Sequence, residues 1–190
     1  MATVEMKSRF KRGFDWCLSN THRIEGLEEA GPFLREGDGL IVDFDGVFTL
    51  CNRDFYGNFR NLLQLRRLVE PVSWVTGVTG RWMVNEDEGK DKERKKDRIS
   101  NFPFISRGDL ARLETLLGSR RHQVTFQTGM EKYLGNNNVL SDQVNNTLGK
   151  GCGVLFIGSG LGDWPLALEL VRRSGNLSDG FHFACTGCWF

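Results

Sequence analysis

Two carboxylates one residue apart close a short apolar run, Leu40-Ile41-Val42-Asp43-Phe44-Asp45-Gly46-Val47-Phe48-Thr49. Packing explains such a pair poorly, because unpaired charge is costly to bury. Asp43 and Asp45 at this spacing suit a divalent cation and phosphoryl chemistry. Further along, Arg81 follows a second glycine after an apolar stretch and can face a substrate anion. Gly153-Val154-Leu155-Phe156-Ile157-Gly158-Ser159-Gly160-Leu161-Gly162-Asp163 is another apolar run that ends in glycines and an acid.

The elements that must position these groups follow from length and boundary. The run before Asp43 lies between Gly39 and Gly46, so it reads as a buried parallel strand rather than a helix. Asp43 and Asp45 then leave its carboxyl end, where open α/β sheets place their ligands. Phe59 to Leu68 carries an apolar stripe at Phe59, Leu62, Leu63 and Leu65 and reads as a helix. Val72 to Thr76 is a second strand, ending at Gly77 and lying far enough from the first for one crossover. Ser106-Arg107-Gly108-Asp109 resembles a capping box that opens a helix through Leu117, stopped by Gly118. His122 to Gln127 is a short strand, and Leu140 to Leu148 a short helix. Gly149-Lys150-Gly151 is a turn rather than a phosphate-cradling loop, since no Ser or Thr follows the Lys. Val154 to Ile157 is a strand; the helix after it runs to about Arg173, with Asp163 as N-cap and Pro165 in its first turn. Phe181, Phe183 and Cys185 mark a final strand.

Outside this framework the chain is plainer. Residues 1–38 read as an N-terminal helical extension, with an amphipathic helix over Val4 to Leu18 and a short one over Ile24 to Ala30. Residues 39–190 form the core domain. Residues 85–98 carry mixed charge and no apolar side chain, so they make a solvated loop or frayed helix end and no lid with its own core. Cys185-x-x-Cys188 with His182 has the spacing of half a zinc or redox site, but the second cysteine pair is missing, so the two read as inert thiols.

Composition narrows the class. A chain of 190 residues with 39% hydrophobic and 26% charged residues suits one globular domain. A net charge of +1 gives no reason to expect a nucleic-acid or membrane-surface partner. No apolar run approaches the roughly 20 residues of a membrane span, and the N-terminus lacks a signal-peptide core. Five scattered cysteines point to free thiols in a reducing cytoplasm.

Asp43-Phe44-Asp45-Gly46-Val47-Phe48-Thr49 resembles the first motif of the haloacid dehalogenase superfamily of phosphohydrolases. Val75-Thr76-Gly77, 33 positions after Asp43, is similar to the second. Lys132 stands where that family keeps a lysine, and Gly158 to Asp163 resembles the fourth motif. The Asp163-Trp164-Pro165 continuation is most like the small, nearly capless 3-deoxy-D-manno-octulosonate 8-phosphate phosphatases. The resemblance covers four motifs in order and not the segments between them. It implies an α/β fold, a Rossmann-like mainly parallel sheet of five or six strands between helices, with little or no cap.

The resemblance also implies roles. Asp43 attacks phosphorus; Asp45 protonates the leaving oxygen and then activates water; Thr76 and Gly77, with Lys132 and Arg81, hold the phosphoryl group. Mg²⁺ is bound by Asp43, Asp45 (through its backbone carbonyl) and Asp163. The substrate is a small phosphorylated molecule such as a sugar phosphate, and homo-oligomers are known in that group. One departure stands out: the first acid of the fourth motif is Ser159. It keeps open a second class, a non-catalytic or weakly active binding or regulatory module of the same fold. Transfer to another acceptor, or phosphonate or haloacid chemistry, is a third.

Overall fold

The computed structural model describes residues 15, 19–43, 47, 59–80, 82–84, 104–117, 123–128, 138–159, 163–173 and 180–185. Eight strands lie among them: β1 (Thr21–Arg23), β2 (Gly39–Asp43), β3 (Trp74–Thr79), β4 (Trp82–Val84), β5 (Phe104–Ser106), β6 (Gln123–Thr128), β7 (Val154–Gly158) and β8 (Phe181–Cys185). Four α-helices accompany them: α1 (Phe59–Leu68), α2 (Arg107–Leu117), α3 (Asn138–Gly149) and α4 (Trp164–Arg173). A 3-10 helix spans Leu27–Phe33.

Six strands form one sheet in the order β1-β8-β7-β2-β3-β6, and every pairing in it is parallel. The fold is α/β and Rossmann-like. Parallel strands need crossovers and are buried on both faces, and both β2 and β7 are buried at every residue. Alternate residues serve opposite faces. Leu40, Val42, Val75, Leu155, Ile157 and Ala184 pack with Leu65, Leu68, Leu117 and, from the 3-10 helix, Leu27 and Ala30. Ile41, Trp74, Val78, Phe156 and Phe183 pack with Leu140 and Val144 of α3 and Leu166, Ala167 and Leu170 of α4. The sheet is therefore the middle of three layers.

One side-chain tie joins the sheet to a helix layer, and another joins two helices within that layer. Trp74 Nε1 donates to Thr147 Oγ1 of α3 at 2.8 Å. The Trp74 ring lies so close over Gly39 that a Cβ there would meet ring carbons at 2.1 and 2.4 Å, so only glycine starts β2. At the outer ends of α3 and α4, Arg173 donates to Asn138 Oδ1 and pairs with Glu169.

The segment before β2 differs from its expected form. Residues 21–38 build an edge strand parallel to β8 and a 3-10 helix, in place of the expected short helix over Ile24 to Ala30. Ile24 donates its N–H to the Cys185 carbonyl, extending the sheet. Pro32 lies inside the 3-10 helix and lacks an N–H, which fits a short tight turn and disfavours a longer α-helix. The expected helix over Val4 to Leu18 lies outside the described residues, apart from Asp15.

β3 also runs on past Gly77 to Thr79, and β6 accompanies it, pairing Thr79 with Thr128. Beyond that edge β4 and β5 make a separate parallel pair. They bracket the mixed-charge run 85–98, which is outside the described residues. Among the described residues no helix is long and apolar enough to cross a membrane.

Candidate active site

Chain order reverses between two neighbouring strands of the sheet. From β2 the chain moves outward to β3 and β6, then returns to the other side of β2 as β7 and continues to β8. Ligands of open α/β sheets bind at the carboxyl ends of strands beside such a reversal. β2 ends at Asp43, and Ser159 follows the last residue of β7.

The two strand ends are joined through side chains. Ser159 Oγ donates to Asp43 Oδ2 at 2.7 Å. The Ser159 backbone N–H donates to Asp163 Oδ2 at 2.8 Å. Asp43 and Asp163 are each only 1% exposed, so two buried carboxylates converge on one serine. The Asp163 carbonyl accepts the Ala167 N–H, which makes Asp163 the residue that starts α4. Gly158 makes the turn possible: a Cβ there would lie 2.8 Å from Asp163 Oδ2 and 2.9 Å from a ring carbon of Phe183. Any larger residue would push the Asp163 carboxylate away from the Ser159 N–H.

Thr76 and Gly77 take different places from this pair. Thr76 pairs in register with Ile41, and Gly77 with Val42, while Asp43 pairs with Val78. Thr76 therefore lies two residues, about 7 Å, short of the level of Asp43. Its hydroxyl shares a 2.8 Å hydrogen bond with that of Thr125 on β6. The hydroxyl at the end of the strand belongs to Thr79, which is fully buried and followed by Gly80. The sequence repeats Val-Thr-Gly at 75–77 and 78–80; the repeat itself was the signal that two strand ends were available.

Asp45, Arg81 and Lys132 lie outside the described residues, as do Cys17, Cys51 and Cys188. Cys152 and Cys185 are free thiols. Among the described residues no cluster of three or more His, Cys, Asp or Glu is placed to hold a metal. Among the described residues, what the site offers a cation is two carboxylates and a hydroxyl. That set of hard oxygens suits Mg²⁺, which binds through one or two carboxylates and keeps several waters. It does not suit a soft, thiol-seeking metal.

Comparisons with family models, with curated proteins and with solved structures find no match to this chain.

Proposed function

We propose that the chain hydrolyses phosphate monoesters with Mg²⁺ through an aspartyl-phosphate intermediate on Asp43, as its resemblance to the haloacid dehalogenase superfamily implies. The observation that carries this reading is the convergence of the Asp43 and Asp163 carboxylates on Ser159 at the strand reversal. Burial without neutralisation is costly for one carboxylate and more so for two. Asp43 and Asp163 would hold the cation, which supplies charge to offset that of the phosphoryl oxygens.

Asp43 serves as the nucleophile in this reading. Its Oδ2 accepts the Ser159 hydroxyl, which helps to fix the carboxylate plane, and a carboxylate oxygen attacks phosphorus. The bond from phosphorus to the ester oxygen then breaks. Asp45 protonates that oxygen and later deprotonates the water that cleaves the acyl phosphate. Lys132 and Arg81 offset charge on the transferring group. For the strand-end hydroxyl the position of Thr79 is better suited than that of Thr76, because it reaches the level of the nucleophile. With little cap of its own, the site takes a substrate such as a sugar phosphate, enclosed in part by a second subunit.

A specific observation favours a second reading. Ser159 brings a neutral hydroxyl to Asp43 where the family pattern has a carboxylate, so the site has one negative charge fewer for a cation. A phosphate-binding module without turnover would need no more. Metal-dependent hydrolysis of a panel of phosphate monoesters, with trapping of phosphorylated Asp43, tests both. Turnover in the native chain that is lost in Asp43→Asn supports the enzyme. Phosphate-ester binding without turnover at any Mg²⁺ concentration leaves the binding module.

A further inference from the structure

A cleft of about 500 Å³ opens at the other end of the sheet, beside the amino ends of β2, β7 and β8. That is within the range of small-ligand sites. It lies about five residues of strand, roughly 16 Å, from the level of Asp43. Phe33, Arg35, Asp38, Cys152, Gly153 and His182 are among its walls.

The cleft wall sets Arg35 and His182 beside one acid. Asp38 is the acid on its wall, and both its oxygens already accept backbone N–H groups: Oδ2 from Arg35 at 2.8 Å and Oδ1 from Gly153 at 2.6 Å. Among the described residues the Arg35 guanidinium makes no ion pair. The His182 ring stands 5.6 Å from that of His22, with Phe33 against both at 5.7 and 4.5 Å. Burial, above all, holds the His182 pKa below its ordinary 6.5; His22 presses the same way, Asp38 pulls it up, and Arg35 adds a smaller downward push. The cleft wall therefore carries one imidazole and one guanidinium beside a single acid whose oxygens accept peptide N–H groups, with the His22 ring next to that of His182.

We propose that this cleft binds a small oxyanion, a phosphate or carboxylate group, through the Arg35 guanidinium and the protonated His182 ring. A planar guanidinium matches either group with two parallel N–H donors. Once His182 is protonated, two positive groups face the one carboxylate of Asp38 and an anion offsets the excess, so its binding and the protonation of His182 favour each other. Affinity then rises as pH falls. His22 and Arg35 disfavour the His182 proton and Asp38 favours it; Cys152 is the remaining titratable wall. The site is separate from the Asp43 edge and does not depend on any activity there.

The test is a titration of the full chain with sulfate, standing in for phosphate because it does not titrate near neutrality, and separately with acetate. The readout is the imidazole NMR signals, compared with chloride at matched ionic strength. His22→Gln and His182→Gln assign the rings. The expected result is a saturable shift of the His182 signals, a rise in its pKa, and an affinity at least ~10-fold weaker in Arg35→Gln, as loss of a bidentate charged contact requires. Calorimetry on His182→Gln should find the pH dependence of binding flattened. A response to sulfate alone assigns a phosphate-like ligand, and one to acetate alone a carboxylate. No saturable response to either anion, or one undiminished in Arg35→Gln, overturns the proposal.

Discussion

Asp38 and Asp43 stand at opposite ends of β2, both almost fully buried, and among the described residues the hydrogen-bond partners seen for them differ in kind. Asp38 accepts two peptide N–H groups, from Arg35 and Gly153, and so ties the turn before β2 to the start of β7. Asp43 accepts a side-chain hydroxyl, from Ser159 after the end of β7. Peptide donors are fixed by the fold and cannot leave. A hydroxyl can rotate, accept as well as donate, and yield to a ligand. The same residue type, buried at both ends of one strand pair, is thus a structural clamp at one end and a candidate reactive group at the other. Burial of a carboxylate does not mark a site; the nature of its partners does.

The comparison can be broken by exchange. Asp43→Asn should lower turnover by about 10³-fold or more, the cost of losing a nucleophile, with no loss in thermal midpoint. Substantial turnover in that variant would remove covalent catalysis at Asp43.

Asp38→Ala should do the reverse. It strips two charge-assisted hydrogen bonds worth about 1.5 kcal/mol each, so urea unfolding should show a loss of about 3 kcal/mol. Activity per folded molecule should be unchanged. An equal stability loss in Asp38→Ala and Asp43→Ala would erase the distinction between the two ends.

Ser159 sharpens the contrast. Ser159→Ala should cost about 1 to 2 kcal/mol through the lost bond to Asp43. Ser159→Asp sets a second carboxylate against Asp43, so it should be less stable than the native chain without metal and gain more thermal midpoint from Mg²⁺. If Mg²⁺ stabilises both forms equally, another group has taken the place of the missing acid.

Thr76 and Thr79 compare the strand interior with its edge. Thr76→Val removes the bond to Thr125 and should cost about 1 kcal/mol of stability with turnover intact. Thr79→Val should lower turnover about 100-fold, at the low end for loss of a donor to developing charge.

The smallest effect expected is at the amino edge. His182 has a folded pKa below its unfolded value near 6.5, so the unfolded chain takes up its proton first as pH falls. Stability should therefore decline as pH drops through about 6.5, until folded His182 itself protonates. Thermal midpoints of the native chain and His182→Gln between about pH 7.5 and 5 should diverge in that direction.

Much of the framework was legible in the chain because parallel strands and their helices write simple patterns. Leu40 to Val42 and Val154 to Ile157 are continuous apolar runs closed by glycines and acids, and a strand buried on both faces requires that. The helix after Asp163 was readable from its polar start and Pro165. Other features were not legible, since they depend on neighbours distant in sequence. Thr21 to Arg23 becomes a strand because β8 offers an unpaired edge, and three residues carry no period. Thr76-Gly77 and Thr79-Gly80 are equivalent as strings; pairing with β6 carries the strand to the second.

The sequence by itself determined the class of the fold and the two acids, Asp43 and Asp163, at the ends of apolar runs, because hydrophobic burial and local caps are written in adjacent residues. Only the tertiary structure decided which groups meet. It put Ser159 on Asp43, 116 positions away, Gly153 on Asp38, 115 positions away, and His22 beside His182. Such contacts are set by strand order and register, which arise when the whole sheet packs and are encoded in no single segment.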